Sequence, residues 1–141
     1  MALASSHKII VDTGPLVAFV RAAEASHAWV TARFRELSPP FFTCEPVLTE
    51  TLFLLSRESD GSRCFFDLLA SGLLQVDFTI LAEQHALSKL IGKYKDPPMS
   101  LAHACLVRMS ERAPESAVFT LDAHFSVYRR NGRQRIPVIM P

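Results

Sequence analysis

Short apolar runs rich in β-branched and aromatic residues alternate with longer stretches of helical periodicity along most of this chain. That alternation narrows the fold more than any other feature. A strand followed by a helix and another strand makes parallel pairs with right-handed crossovers, and places helices on both faces of the sheet. Residues 9–12, 41–43, 73–78 and 117–121 read as strands, and 136–140 as a last edge strand in which Pro137 is tolerated. Helical spacing covers residues 15–23, 27–37, 62–70, 81–94 and 99–112, with Trp29, Phe34 and Leu37 as expected buried positions. A further helix follows Thr43, which is placed to cap it, and Pro46 falls in the first turn, where a missing amide costs little. The expectation is one α/β domain over residues 8–141, preceded by a short flexible segment of residues 1–7.

Length and composition set outer limits. A chain of 141 residues with nearly half of them apolar can bury a real core. No apolar stretch is long enough to cross a bilayer, and residues 1–7 lack the core of a secretory signal, so a cytoplasmic protein away from the membrane is expected. Cys44, Cys64 and Cys105 are odd in number, lie in apolar surroundings and lack metal-ligand spacing, and therefore read as reduced core residues. Net charge is +1 but unevenly spread: residues 1–70 hold six Lys/Arg against eight Asp/Glu, and residues 71–141 hold nine against six. After Asp122 come Arg129, Arg130, Arg133 and Arg135 and no acid, a segment that could contact phosphates or simply be solvated.

Candidate chemistry sits at the ends of the strand-like runs. Asp12 closes Lys8-Ile9-Ile10-Val11, and Asp122 follows residues 117–121, so both can reach the carboxyl rim where open α/β sheets place ligands. Asp12 could instead serve only as the cap of the next helix. Glu50 is an acid about one turn into an apolar helix, and its competing reading is an exposed helical glutamate. A fourth position should come from the turn after Pro98, which holds Ser100, Leu101, Ala102 and His103. Hard oxygen ligands around one pocket would bind Mg²⁺ or Mn²⁺, ions suited to displacement at phosphorus. Gly-rich phosphate loops, the dinucleotide fingerprint, the metalloprotease His-Glu-x-x-His and the nucleophile-elbow serine are absent from the sequence. A phospho-accepting receiver domain also clusters acids at strand ends, but it needs a lysine near the last strand, and no lysine follows Lys95.

Four segments together resemble a known family. They are Ile10-Val11-Asp12-Thr13-Gly14-Pro15-Leu16, residues 45–51, residues 96–107 and Thr120-Leu121-Asp122. In order and spacing, across nearly the whole chain, they are similar to PIN-domain proteins, and most of all to ribonucleases of the VapC toxin type. The resemblance implies a Rossmann-like three-layer α/β/α sandwich with a mainly parallel central sheet. It also implies a metal-dependent endoribonuclease acting on RNA, neutralised by a cognate antitoxin and commonly a homodimer. By position, Asp12, Glu50 and Asp122 match three metal-site acids of the family, and Thr13 matches the small hydroxyl residue after the first acid. The family's remaining acid falls at His103, where this chain departs from the pattern. Substitute ligand, damaged site and inactivating substitution are the readings of His103, and the last two make the chain a catalytically impaired RNA- or antitoxin-binding protein. Asp96 could swing in to compensate or be a simple turn residue. Thr13, Asp96 and Ser100 are thus candidate supporting residues, and Arg129 and Arg130 candidate contacts to the RNA backbone. Cys64 with Phe65, Phe66, Leu68 and Leu69 could form a dimer surface or belong to the core.

Overall fold

The computed structural model describes residues 7–141, so the flexible lead-in expected over residues 1–7 lies, apart from His7, outside the described residues. The chain runs β1 (Lys8–Val11), α1 (Thr13–Val20), α2 (His27–Glu36), β2 (Phe41–Thr43), α3 (Glu45–Leu55) and α4 (Gly61–Ala70). It continues through β3 (Leu74–Val76), α5 (Ile80–Lys93), α6 (Leu101–Arg112), β4 (Ser116–Phe119), a 3₁₀ turn (Ala123–Ser126), β5 (Arg129–Arg130), β6 (Gln134–Arg135) and β7 (Val138–Ile139). Strands β3-β2-β1-β4-β7, in that spatial order, form one sheet in which every pair is parallel. This is the expected Rossmann-like α/β fold. The order reverses between β1 and β4, because the chain first builds outward to β3 and then returns to the other side of β1. A crevice opens at such a reversal, outside the carboxyl ends of the two strands.

The central strand runs are continuously apolar because both sheet faces are covered. Ile10, Val11, Val118 and Phe119 are wholly buried, and Phe34 of α2 packs against Phe41 and Phe119 with ring centroids 5.1 and 4.9 Å apart. Each such side chain contributes about 1.5–3 kcal/mol by leaving water. Trp29 and Leu37 pack at the margin of this core, half-buried. Cys44 and Cys105 are buried free thiols, as their apolar neighbours suggested.

Three local expectations change. Thr43 does not cap α3: it is the last residue of β2, its hydroxyl donates to the Val11 carbonyl, and Cys44 takes the cap position instead. Phe65 and Leu68 are core while Phe66 is exposed, so the Cys64–Leu69 stretch is not one apolar surface. The arginine-rich end is an ordered antiparallel hairpin, β5 paired with β6 around Asn131-Gly132-Arg133. Asn131 and Gly132 both take positive φ, 52° and 81°, a conformation that asparagine and glycine tolerate best. Among the described residues, no helix is long and apolar enough to cross a membrane.

Candidate active site

Parallel register brings the acids together. Val11 of β1 lies beside Phe119 of β4, and the Asp12 amide donates to the Phe119 carbonyl at 2.9 Å, so the next residues of the two strands emerge side by side at the crevice. Asp12 is 3 % exposed and uses both carboxylate oxygens. Oδ1 accepts from the Thr13 amide at 2.8 Å and so caps α1, while Oδ2 accepts from the Thr120 hydroxyl at 2.8 Å. Capping and rim placement thus coexist in one side chain. Thr120, wholly buried, also accepts from the Asp122 amide at 3.0 Å. One hydroxyl therefore sets the spacing of two acids.

Asp122 opens the 3₁₀ turn, its Oδ1 accepting from the His124 amide at 2.9 Å and lying 2.8 Å from His124 Nδ1. Glu50 is exposed on α3, yet Thr13 Oγ1 donates to its Oε2 at 3.2 Å, which turns the carboxylate toward the same crevice. The resulting cavity, about 500 Å³, is lined by Asp12, Thr13, Glu50, His103 and Asp122, with Arg21 and Glu24 among the other residues around it. Arg21 is engaged there, donating to Glu24 at 3.0 Å and to the Leu54 carbonyl at 2.7 Å.

His103 occupies the middle of this arrangement. Its amide is held by the Ser100 hydroxyl, which caps α6, and this places the ring over the crevice. Nε2 lies 3.5 Å from Asp12 Oδ2 and 3.5 Å from Asp122 Oδ2, while Nδ1 lies 3.1 Å from the Tyr128 hydroxyl. Phe125 and Tyr128 pack edge-on against the ring at centroid distances of 4.9 and 5.7 Å. Burial works against a charged imidazole, but the hydrogen bond and charge of Asp12, followed by the charges of Asp122 and Glu50, outweigh it and raise the His103 pKa. Burial, and then Asp122, push the Tyr128 phenol up as well.

The donor set fits a hard divalent cation in its chemistry, since carboxylate oxygens of two neighbouring strands converge on one point. That point is taken by an imidazole nitrogen, and as the side chains stand no group of three His, Cys, Asp or Glu among the described residues is set to hold a metal.

The remaining sequence candidates divide. Thr13 orients Glu50, and Ser100 orients His103 through its backbone. Asp96 stays in the exposed loop before α6 and does not line the cavity. Arg130 is 5 % exposed and donates to the carbonyls of Ser110 and Pro114 at 3.1 Å each, so it ties the hairpin to the end of α6; this corrects its assignment as an RNA contact. Arg129 spends one terminal nitrogen on the carbonyls of Ser126, Val127 and Tyr128. Sequence reasoning missed Thr120 and Tyr128 as parts of the site. A hydroxyl two residues before Asp122 was a local signal for the first; nothing local signalled the second.

Fold and acid rim together define an α/β protein with its acids at the reversal of a parallel sheet. No family model matches the chain. Over 134 residues it is 28 % identical to Ribonuclease VapC26 of Mycobacterium tuberculosis, in an alignment that covers 93 % of this chain and 99 % of the relative. The fold matches the crystal structure of VapC20 from the same organism, described as a sarcin-ricin loop cleaving toxin, with a TM-score of 0.72 at 23 % identity, covering 85 % of this chain and 94 % of that one. The chain is thus similar in sequence to one VapC ribonuclease and in fold to another.

Proposed function

We propose that this chain is an endoribonuclease of the VapC toxin type, with Asp12, Glu50 and Asp122 as its working acids. The observation that carries the reading is the convergence of Asp12 Oδ2 and Asp122 Oδ2 on one point at the sheet's reversal, beside Glu50. Asp12, Glu50 and Asp122 would hold Mg²⁺ or Mn²⁺. Such an ion supplies electrostatic stabilisation for in-line displacement at phosphorus and makes water more acidic. The protein's share is positioning: Thr120 and the Thr13 amide hold Asp12, Thr13 Oγ1 turns Glu50 inward, and His124 holds Asp122. The same reading includes an RNA substrate in the cytoplasm, a cognate antitoxin and a homodimer.

Purified protein incubated with RNA should cleave it in Mg²⁺ or Mn²⁺ and stop when the ion is chelated. Equal cleavage in excess chelator removes the metal from the reading.

A second reading is favoured by a specific observation, the imidazole lodged between Asp12 and Asp122. It makes the chain a catalytically impaired binder of RNA or antitoxin. Comparison with His103→Asp separates the two. Cleavage only after the substitution supports the impaired reading, and equal cleavage by both proteins sinks it.

A further inference from the structure

A second cleft, about 500 Å³, lies between α5, α6 and the β5–β6 hairpin, lined by His85, Lys89, Lys93, Arg108 and Arg129, with Glu111 as its one acid. The pairing of cations across the molecule sets this face apart. Of the fifteen lysines and arginines, six sit beside a carboxylate in an ion pair among the described residues. Seven of the other nine fall in residues 89–95 and 129–135, segments that contain no acid. Of these seven, only Arg130 is buried.

The two segments are joined in space. Lys93 Nζ donates to the Gly132 carbonyl at 2.9 Å, and the Arg129 amide donates to the Tyr94 hydroxyl at 2.9 Å. Glu111 is already engaged by Arg108 and by the Asn131 amide, so it does not neutralise Lys89 or Lys93. Tyr128, whose hydroxyl meets His103 of the acid pocket, directly precedes Arg129 of the cleft, so neighbouring residues of one short segment serve the two sites. Flexible ammonium groups left without carboxylate partners are suited to a chain of phosphates. They neutralise backbone charge and release counterions without reading sequence.

We propose that this cleft binds the sugar-phosphate backbone of the RNA strand as it leaves the acid pocket, with Lys89 and Lys93 as phosphate contacts. The proposal rests on the ribonuclease reading above. Its test is fluorescence anisotropy with a labelled single-stranded RNA of about 20 nucleotides, long enough to span pocket and cleft at the site sizes usual for single strands. Binding is measured in chelator over a range of KCl concentrations, for the parent, Lys89→Gln/Lys93→Gln and a control, Arg35→Gln/Arg57→Gln, the two exposed cations among the described residues that lack an ion pair and lie outside these segments. The expected result is weaker binding by the lysine variant alone, with a log–log salt slope shallower by about 1.4, roughly 0.7 for each lost phosphate contact.

An unchanged slope in the lysine variant overturns the cleft while leaving the ribonuclease reading intact. Failure of the parent to bind RNA at low salt overturns both. Polyglutamate that competes as well as unlabelled RNA overturns it too, in favour of an acidic protein partner for this face. Circular dichroism of the exposed-lysine variant verifies that the fold is retained.

Discussion

The acid pocket and the basic cleft handle charge in opposite ways. In the pocket every carboxylate is tied: Asp12 by the Thr13 amide and Thr120, Glu50 by Thr13, Asp122 by His124. In the cleft, Lys89 and Lys93 have no carboxylate partner among the described residues, and Lys93 meets only the Gly132 carbonyl and the face of the Tyr94 ring. The contrast follows from what each region has to do. Bond-breaking chemistry depends on fixed positions, since a displacement of about 1 Å can cost a hundredfold in rate. Holding a polyanion depends on net charge and reach.

Substitutions that loosen the tied region should therefore damage rate, and those in the cleft should alter salt dependence. Asp12 apart, the largest effect is expected from Asp122→Asn, which removes the other of the two converging charges. Single-turnover cleavage should fall by at least about a hundredfold, the scale seen when one preorganised electrostatic contact is lost. Next comes Thr120→Val, which keeps the shape and removes the hydroxyl shared by Asp12 and Asp122. Cleavage should drop roughly 10–100-fold, and urea denaturation should show a stability loss of about 1–3 kcal/mol from the unpaired buried groups. Arg130→Met tests the opposite assignment. It should lower stability by about 1–3 kcal/mol as the Ser110 and Pro114 carbonyls lose their partner, yet leave the RNA salt slope unchanged. A shallower slope in that variant would return Arg130 to the RNA contacts and blur the contrast. The smallest effect belongs to Asp96→Asn, which should leave cleavage within about twofold because the residue stands outside the cavity, in keeping with the small effects of surface changes.

Much of the layered fold was legible because it is written in local pattern. Ile10, Val11, Ala117 and Val118 form short uninterrupted apolar runs, and runs of that kind separated by helical spacing leave few arrangements besides a parallel sheet. Asp12 and Asp122 were legible as rim acids for the same reason, since each follows such a run. Contacts between distant elements were not. The hydrogen bond from Thr120 to Asp12 spans 108 residues, and that of His103 with Tyr128 spans 25; both exist only once β4 and the hairpin have docked. The hairpin itself had a signal, Asn131-Gly132 between arginines, but its charged flanks lack the alternating apolar pattern that marks a strand. Arg130 was misassigned for a related reason: charge alone does not tell a guanidinium facing solvent from one facing carbonyls.

Asp12→Asn tests the central assignment most directly. Asparagine keeps the oxygen that caps α1 and nearly the same volume, so the fold and RNA binding should survive while the charge at the convergence point is lost. With labelled RNA and saturating Mn²⁺, the parent should cleave, and Asp12→Asn should bind the same RNA without cleaving it. Cleavage by Asp12→Asn at the parent's rate would contradict the account and move the chemistry away from this rim.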